Sequence, residues 1–486
     1  MARYLASFNE LSSVPLLKFN RPFRKGWKSL FYNLNNMKRT FTLLAAIALS
    51  TYLLSCAHDA STKLDSTLID LLDSRSKTGS SDWYVMPESD DYASLPNQDP
   101  KNPVTEAKVR LGKMLFFETG IGLEAKYSFE TATYSCSSCH VPERSFTAGR
   151  FQGVADGGIG FGQTGEGRTR HPLYQGSEVD AQGARPLPTI NLTYVTNALW
   201  AGSFGTFDVN EGTESSWNYD TLTQINFKGF KGLEANNQRA LIVHRQIMNP
   251  VLAEELGYKE LFDEAFPDIP VSERYSRKTV AFAIAAYQRS ILTNQAPFQE
   301  FLRGNRDAMS EQQKRGAILF FDKAGCVNCH NSPSLNSVPH EFFALGVYDM
   351  YQNPRETFRT SKDDRRNLGR AGFTYRDEDL FKFKVPQLYN LKEFGFYFHG
   401  ASKRSLREVV EYFNNGVTEN PNVPKDRISG FFHPLGLTEE EIDDLTEFLT
   451  NGLYDPNMLR YKPGSTMSGN CFPNNDPLSR IEMGCR

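Results

Sequence analysis

The sequence predicts a mainly α fold with long loops, built around two copies of one small module. Three observations predict it. First, "YSCSSCH" (134–140) and "AGCVNCH" (324–330) both read Cys-x-x-Cys-His. Second, "RLGKMLFFE" (110–118) precedes the first motif and "KRGAILFFD" (314–322) the second; aligned without gaps they share basic, Gly, Leu, Phe, Phe and acidic positions. Internal similarity of this kind marks a duplicated unit. Third, apolar residues beyond Pro103 recur with helical spacing, and few runs alternate as strands do.

Along the 486 residues the elements fall in order. Residues 37–56, "MKRTFTLLAAIALSTYLLSC", have a basic start and an apolar run too short to span a membrane. They read as a signal peptide over 37–55 whose Leu-x-small-Cys ending makes Cys56 a lipidated first residue. Met37 is then the expected start, and residues 1–36 a non-native upstream extension. Residues 56–102 are rich in Ser, Asp, Pro and Asn and read as a polar tether on which Trp83 and Tyr84 dock. The first module is expected over 103–300 and the second over 301–455. Within them, "YKELFDEAF" (258–266) and "RYSRKTVAFAIAAYQRSIL" (274–292) carry helical stripes. Ser310 to Gln313 and Thr438 to Glu441 read as capping boxes that start helices. The first module holds 18 residues between Phe117 and Cys136 where the second holds four between Phe321 and Cys326, so it carries an insertion. Residues 456–486 form a tail. With four cysteines in the motifs and Cys56 at the leader, Cys471 and Cys485 remain as an even pair, which reads as a disulfide in an exported protein.

Three chemistries compete for the motifs. Zinc ribbons place their second cysteine pair within about 15–20 residues, and here the gap is far longer. Thiol–disulfide exchange needs a strand and a βαβ context that neither motif has. Covalent haem c explains why histidine follows at once both times: two thiols add to the vinyl groups and the histidine ligates the iron. Two haem c groups are therefore expected, on Cys136, Cys139 and His140, and on Cys326, Cys329 and His330. Net charge is −3, so no nucleic-acid partner is expected.

Over about residues 105–455, "LGKMLFFETG", "CSSCHVPERSFTAG", "LPTINLTYVTNALWAG", "AIAAYQRSILTNQAPFQEFLRGN" and "FKVPQLYNLKEFGFYFHGASKRSLREVVEYFNNG" occur in order. In these the chain resembles the bacterial di-haem cytochrome c peroxidases, including the related methylamine-utilisation enzymes. The resemblance implies two cytochrome c-like haem domains. A small donor protein, a c-type cytochrome or a cupredoxin, feeds the C-terminal haem, and hydrogen peroxide reacts at the N-terminal one. By position Trp200 in "NALWAG" matches the family's bridging tryptophan, and His399 in "FYFHG" a histidine near the electron-entry haem.

The sequence also departs from the family. The position that usually supplies the second ligand of the electron-entry haem holds Phe413. Tyr412 beside it, the remote Met350, or an iron without a sixth ligand are the alternatives. In "NNQRALIVHRQIMNPVLAEE" the distal Gln matches Gln238, Leu252 replaces the acid, and the spacing is four residues longer. His244 within the extra residues is ranked first for acid–base work, ahead of Glu254 and Glu255. His171 in an expanded loop is a weak candidate for a removable distal ligand. Pro186 stands where the family's calcium-binding Asn would be, so calcium could be held through carbonyl oxygens only. Three functions follow: an exported, envelope-anchored, periplasm-facing peroxidase; a high-valent oxidase of a protein or small molecule; or an electron-transfer lipoprotein. A homodimer is an open alternative.

Overall fold

Several helices begin where the sequence supplies a cap, as at Thr105, Ser310, Ser405 and Thr438. The computed structural model describes residue 42 and residues 62–485. Cys56, the expected upstream extension and, apart from residue 42, the expected signal peptide lie outside the described residues. Contacts divide the chain into residues 1–63 and a unit of residues 64–486, to which all that follows belongs. No helix among the described residues is long and apolar enough to cross a membrane.

The duplication in the sequence is a duplication in space. Helix Glu106–Phe117 crosses helix Arg277–Ser290, and helix Glu311–Phe321 crosses helix Glu439–Glu447. Both crossings are set by the shared glycine. A Cβ on Gly112 would lie 1.9 Å from the Ala283 carbonyl oxygen, and one on Gly316 2.0 Å from that of Asp444. The shared phenylalanines then pack alike: Phe116 against Tyr287 at 5.5 Å, and Phe320 against Phe448 at 5.7 Å between ring centres. Both expected capping boxes form, Ser310 with Gln313 and Thr438 with Glu441. Helix Glu439–Glu447 runs on through one wider turn, Phe448–Gly452, which keeps Phe448 and Leu449 in the core. Among the described residues strand is confined to two short antiparallel pairs, Gly158–Ile159 with Thr169–Arg170 and Phe342–Phe343 with Phe383–Lys384.

The expected tether over 56–102 is corrected for its described part. Residues 64–75 are helical, and Leu68 and Leu72, one turn apart, are fully buried with Tyr84 and Met86 in the main core. Polar composition misled because the polar groups fasten the segment down. Lys314, itself buried, pairs with Asp65 at 2.6 Å. Gln299 holds the backbone on both sides, accepting from Met86 N–H at 2.8 Å and donating to the Tyr84 carbonyl at 3.0 Å.

The tail returns to the first module. Cys471 and Cys485 form a disulfide with Cα atoms 5.9 Å apart. Between them the chain crosses the first Cys-x-x-Cys-His turn. Ser135 donates to the Pro473 carbonyl at 2.9 Å, Ser138 bonds Asn474, and Asn475 N–H donates to the Thr133 carbonyl at 2.8 Å. Asp476 closes the contact through a buried ion pair with Arg168 at 3.3 Å.

Candidate functional site

Each motif folds into a single 3-10 turn, Cys136–Ser138 or Cys326–Asn328. The turn brings the histidine N–H back to the first cysteine carbonyl, at 3.2 Å for His140 and 2.9 Å for His330. Each ring is then fixed by its Nδ1. His140 meets the Phe146 carbonyl at 3.1 Å and His330 the Leu335 carbonyl at 2.7 Å. A backbone carbonyl takes only a donor, so Nδ1 carries the proton and Nε2 keeps its lone pair. Burial holds both imidazoles neutral, with pKa lowered to about 4. This is the form and tautomer an axial ligand needs. Burial also pushes all four motif thiols up to about 12, so they stay protonated. No three His, Cys, Asp or Glu side chains gather as an ion cage among the described residues.

The second motif opens on a cavity of about 360 Å³ with mostly apolar walls, lined by Cys326, Cys329, His330, Trp200, Phe383, His399 and Phe413. Two buried cations also line it, Arg185 and Lys384, 6% and 4% exposed. Neither has a carboxylate within 4 Å among the described residues. Burial alone lowers Lys384 to about 8, and burial above all lowers Arg185 to about 10. An apolar cavity with two thiols, a neutral imidazole and two cations that have no carboxylate partner fits a haem, whose propionates those cations would meet.

Around the first motif the elongated stretch supplies the polar groups. Helix Gly232–Val243 ends at His244, and Arg245 turns the chain with φ 55°. His244 Nδ1 donates to Asp180 at 2.7 Å. Burial disfavours the imidazolium, but the Asp180 carboxylate outweighs it and raises the pKa above the ordinary value. Arg245 pairs with Asp156, which Tyr174 also bonds at 2.6 Å. Gln246 is 1% exposed and accepts from Cys136 Sγ at 3.7 Å. The positive charge of His244 is near enough to add to the lowering of His140.

Segment 185–189 joins the two places. Arg185 lines the second cavity and its carbonyl accepts from Trp200 Nε1 at 2.8 Å. Four residues on, Thr189 N–H donates at 3.0 Å to the same Phe146 carbonyl that fixes His140. Trp200 lies 6.2 Å from His399 between ring centres, and His399 is held by Asp349 at 3.0 Å and stacked on Phe383 at 3.6 Å.

Several expected residues lie elsewhere. Tyr412 does not line the cavity; its hydroxyl donates to the Leu345 carbonyl at 2.7 Å and its ring packs on Phe432, while Phe413 faces the haem slot. Met350 is buried in a separate cluster with Phe151 and Phe396. Gln238 donates back into its own helix, to the Glu234 carbonyl at 3.0 Å. Glu254 and Glu255 are exposed on the short helix Pro250–Glu255, whose buried face is taken by Leu252 and Ala253. His171 packs at a tilt against Phe129, 4.8 Å between ring centres, and its Nδ1 accepts from Leu173 N–H at 3.2 Å within its own loop. The Pro186 carbonyl is taken by Thr147 and Arg185, at 3.2 and 3.4 Å, which leaves it no place in a calcium shell. Sequence reasoning missed Gln246, although the lengthened spacing around it was the available signal. It also missed Asp180, which lies 64 residues from its partner His244.

The sequence model of the family described as di-haem cytochrome c peroxidase matches residues 106–307. A cytochrome-c peroxidase, IdrP1, of Denitromonas iodatirespirans is 30% identical, over 72% of this chain and 82% of its own. The methylamine utilization protein MauG of Methylophilus methylotrophus is 27% identical over 72% of this chain and 83% of its own. Among solved structures, a MauG-like protein associated with microbial copper homeostasis superposes with TM-score 0.51 at 23% identity, covering 81% of this chain and 98% of that one. That likeness shows the fold.

Proposed function

The chain belongs to the di-haem cytochrome c peroxidase family and is an oxidoreductase, and from that premise we propose that it reduces hydrogen peroxide to water at the first motif with electrons received at the second. Cys136, Cys139 and His140 would hold one covalent haem c, and Cys326, Cys329 and His330 the other. Haem, when bound, supplies the redox-active iron at both sites.

The observation that carries this reading is the His244–Asp180 pair beside Gln246, which lies against the first motif. Peroxide reduction needs a group that takes a proton from one oxygen and returns it to the leaving oxygen. His244 keeps Nε2 for that exchange, because Asp180 occupies Nδ1. Asp180 fixes the tautomer and stabilises the imidazolium while it lasts. Gln246, neutral and buried, adds an amide dipole without a competing charge. Electrons would pass from the second site by way of Trp200 and segment 185–189, whose ends touch both sites.

A small redox protein is the proposed donor, and Cys56 the proposed lipid anchor holding the enzyme on the periplasmic side of the cell envelope. A second reading, oxidation of another protein or small molecule, is favoured by Phe413: an aromatic carbon face stands where an electron-entry haem would take a thioether. The test is peroxide consumption by the haem-loaded protein with a reduced small cytochrome as donor. Turnover supports the peroxidase. Reaction with peroxide that consumes no donor transfers the proposal to the oxidase. No reaction with peroxide refutes both.

A further inference from the structure

A second cavity, of about 440 Å³, lies between the loop of residues 144–169 and the segment of residues 394–404. Five arginines line it and Glu166 is the one acid among its lining residues. Arg168 is spoken for: Asp476 and the carbonyls of Val154, Gly160 and Ala155 use its whole guanidinium. Glu166 is spoken for as well. Its carboxylate accepts the N–H groups of Gln163 and Thr164, both at 2.8 Å, which outweigh its partial burial and hold it down at about 2.

Four arginines remain. Arg144, Arg150, Arg355 and Arg404 have no carboxylate within 4 Å among the described residues. Arg150 is the deepest, and its Nε is buried with no hydrogen-bond partner. Shared phenyl rings hold these like charges close together. Arg150 and Arg355 both lie against Phe151, at 5.2 and 5.7 Å; Arg355 and Arg404 both lie against Phe396, at 5.6 and 4.2 Å. Burial first, then neighbouring arginines, lower the pKa of Arg150 and of Arg404. Like charges around one partly dehydrated space repel, and an anion placed among them would attract each one and offset that repulsion. Guanidinium forks match carboxylate and phosphate oxygens two at a time.

We propose that this cavity binds a small oxyanion with two or more negative charges, of the phosphate-ester or polycarboxylate class. The anion would be gripped from both sides, by Arg144 and Arg150 of the first module and Arg355 and Arg404 of the second. Phe394 forms a wall of this cavity and of the haem slot alike. The bound charge would therefore sit one side chain away from the second haem and make its reduction harder.

The experiment is a calorimetric titration of the haem-loaded protein, at constant ionic strength, with inorganic pyrophosphate in one arm and citrate in the other. Saturable binding of one equivalent is expected in at least one arm, and the arm that binds names the class. The Arg355→Ala/Arg404→Ala double variant removes two exposed side chains, and its haem spectrum checks folding. It should bind at least tenfold more weakly. Arg355→Lys, which keeps the charge and loses the fork, should fall between. Arg110→Ala, on a different helix, should bind as the parent does. Flat titrations in both arms overturn the proposal. So does binding that survives the double variant, or that is weakened equally by Arg110→Ala.

Discussion

If His244 moves the peroxide proton, replacing Asp180 should damage turnover in a defined way. Asp180→Asn keeps the size of the side chain and removes the charge that faces Nδ1. The contact is charged and short, at 2.7 Å, and Asp180 is 2% exposed by side chain. Hydrogen bonds to charged groups contribute about 1.5–3 kcal/mol. At about 1.4 kcal/mol per tenfold, full expression of that loss in the transition state lowers kcat/KM for peroxide roughly ten- to hundredfold. His244→Gln removes the proton carrier itself and should lose roughly 10²–10⁴-fold. The pH profile separates chemistry from structure. The neutral imidazole is the proton acceptor, so activity should rise with pH through the elevated pKa of His244. Without the carboxylate, burial acts unopposed and that limb should move to lower pH in Asp180→Asn. The assay is steady-state peroxide reduction across pH 5–9 with the haem-loaded variants, their spectra reporting intact sites. A limb that stays in place, or a His244→Gln enzyme within threefold of the parent, refutes the assignment.

Three other perturbations follow from named contacts. Burial raises Glu130 to about 7 from an ordinary 4.5. The folded state thus holds this proton more tightly than the unfolded one, and the resulting stability, full below pH 4.5, fades as pH rises through 7. Two and a half units correspond to about 3 kcal/mol; urea unfolding at pH 5 and pH 8 should show that fall, and Glu130→Gln should abolish it. Gly112→Ala and Gly316→Ala each force a Cβ to within 2.0 Å of a carbonyl oxygen on the crossing helix. Each should cost about 1–3 kcal/mol or more, read by thermal unfolding, and a neutral result at either would refute the close crossing. Phe413→Met places a thioether in the second slot, and His/Met ligation raises the potential of haem iron. A spectroelectrochemical titration should find one of the two potentials shifted upward and the other unmoved; no shift would mean that Phe413 does not face the iron.

Local patterns were legible because local sequence creates them. Ser310 and Gln313 write a helix start within four residues, and the repeat around Gly112 and Gly316 marks the duplicated module. The two histidine motifs fix their own turn and so declare their chemistry. What was illegible depends on partners distant in the chain. Asp180 gives no sign that it will meet His244. The Leu345 carbonyl that draws Tyr412 away from the haem slot leaves no trace near residue 412. The segment after residue 62 looked like a spacer because composition records polarity and not its use: Asp65 is polar in order to meet Lys314. Glu254 and Glu255 were chosen by nearness to Leu252, but one turn of helix sends them to solvent.

The closure over Ser135 and Ser138 has a bearing on order in time. A chain that emerges amino end first presents the turn carrying Cys136 and Cys139 more than three hundred residues before Pro473 and Asn474 exist to bond Ser135 and Ser138 within it. Until that later segment docks, the turn lacks those contacts, and chemistry on its thiols is less confined. Once Asp476 has met Arg168 and Cys471 has joined Cys485, the turn is held by a stretch of chain made much later.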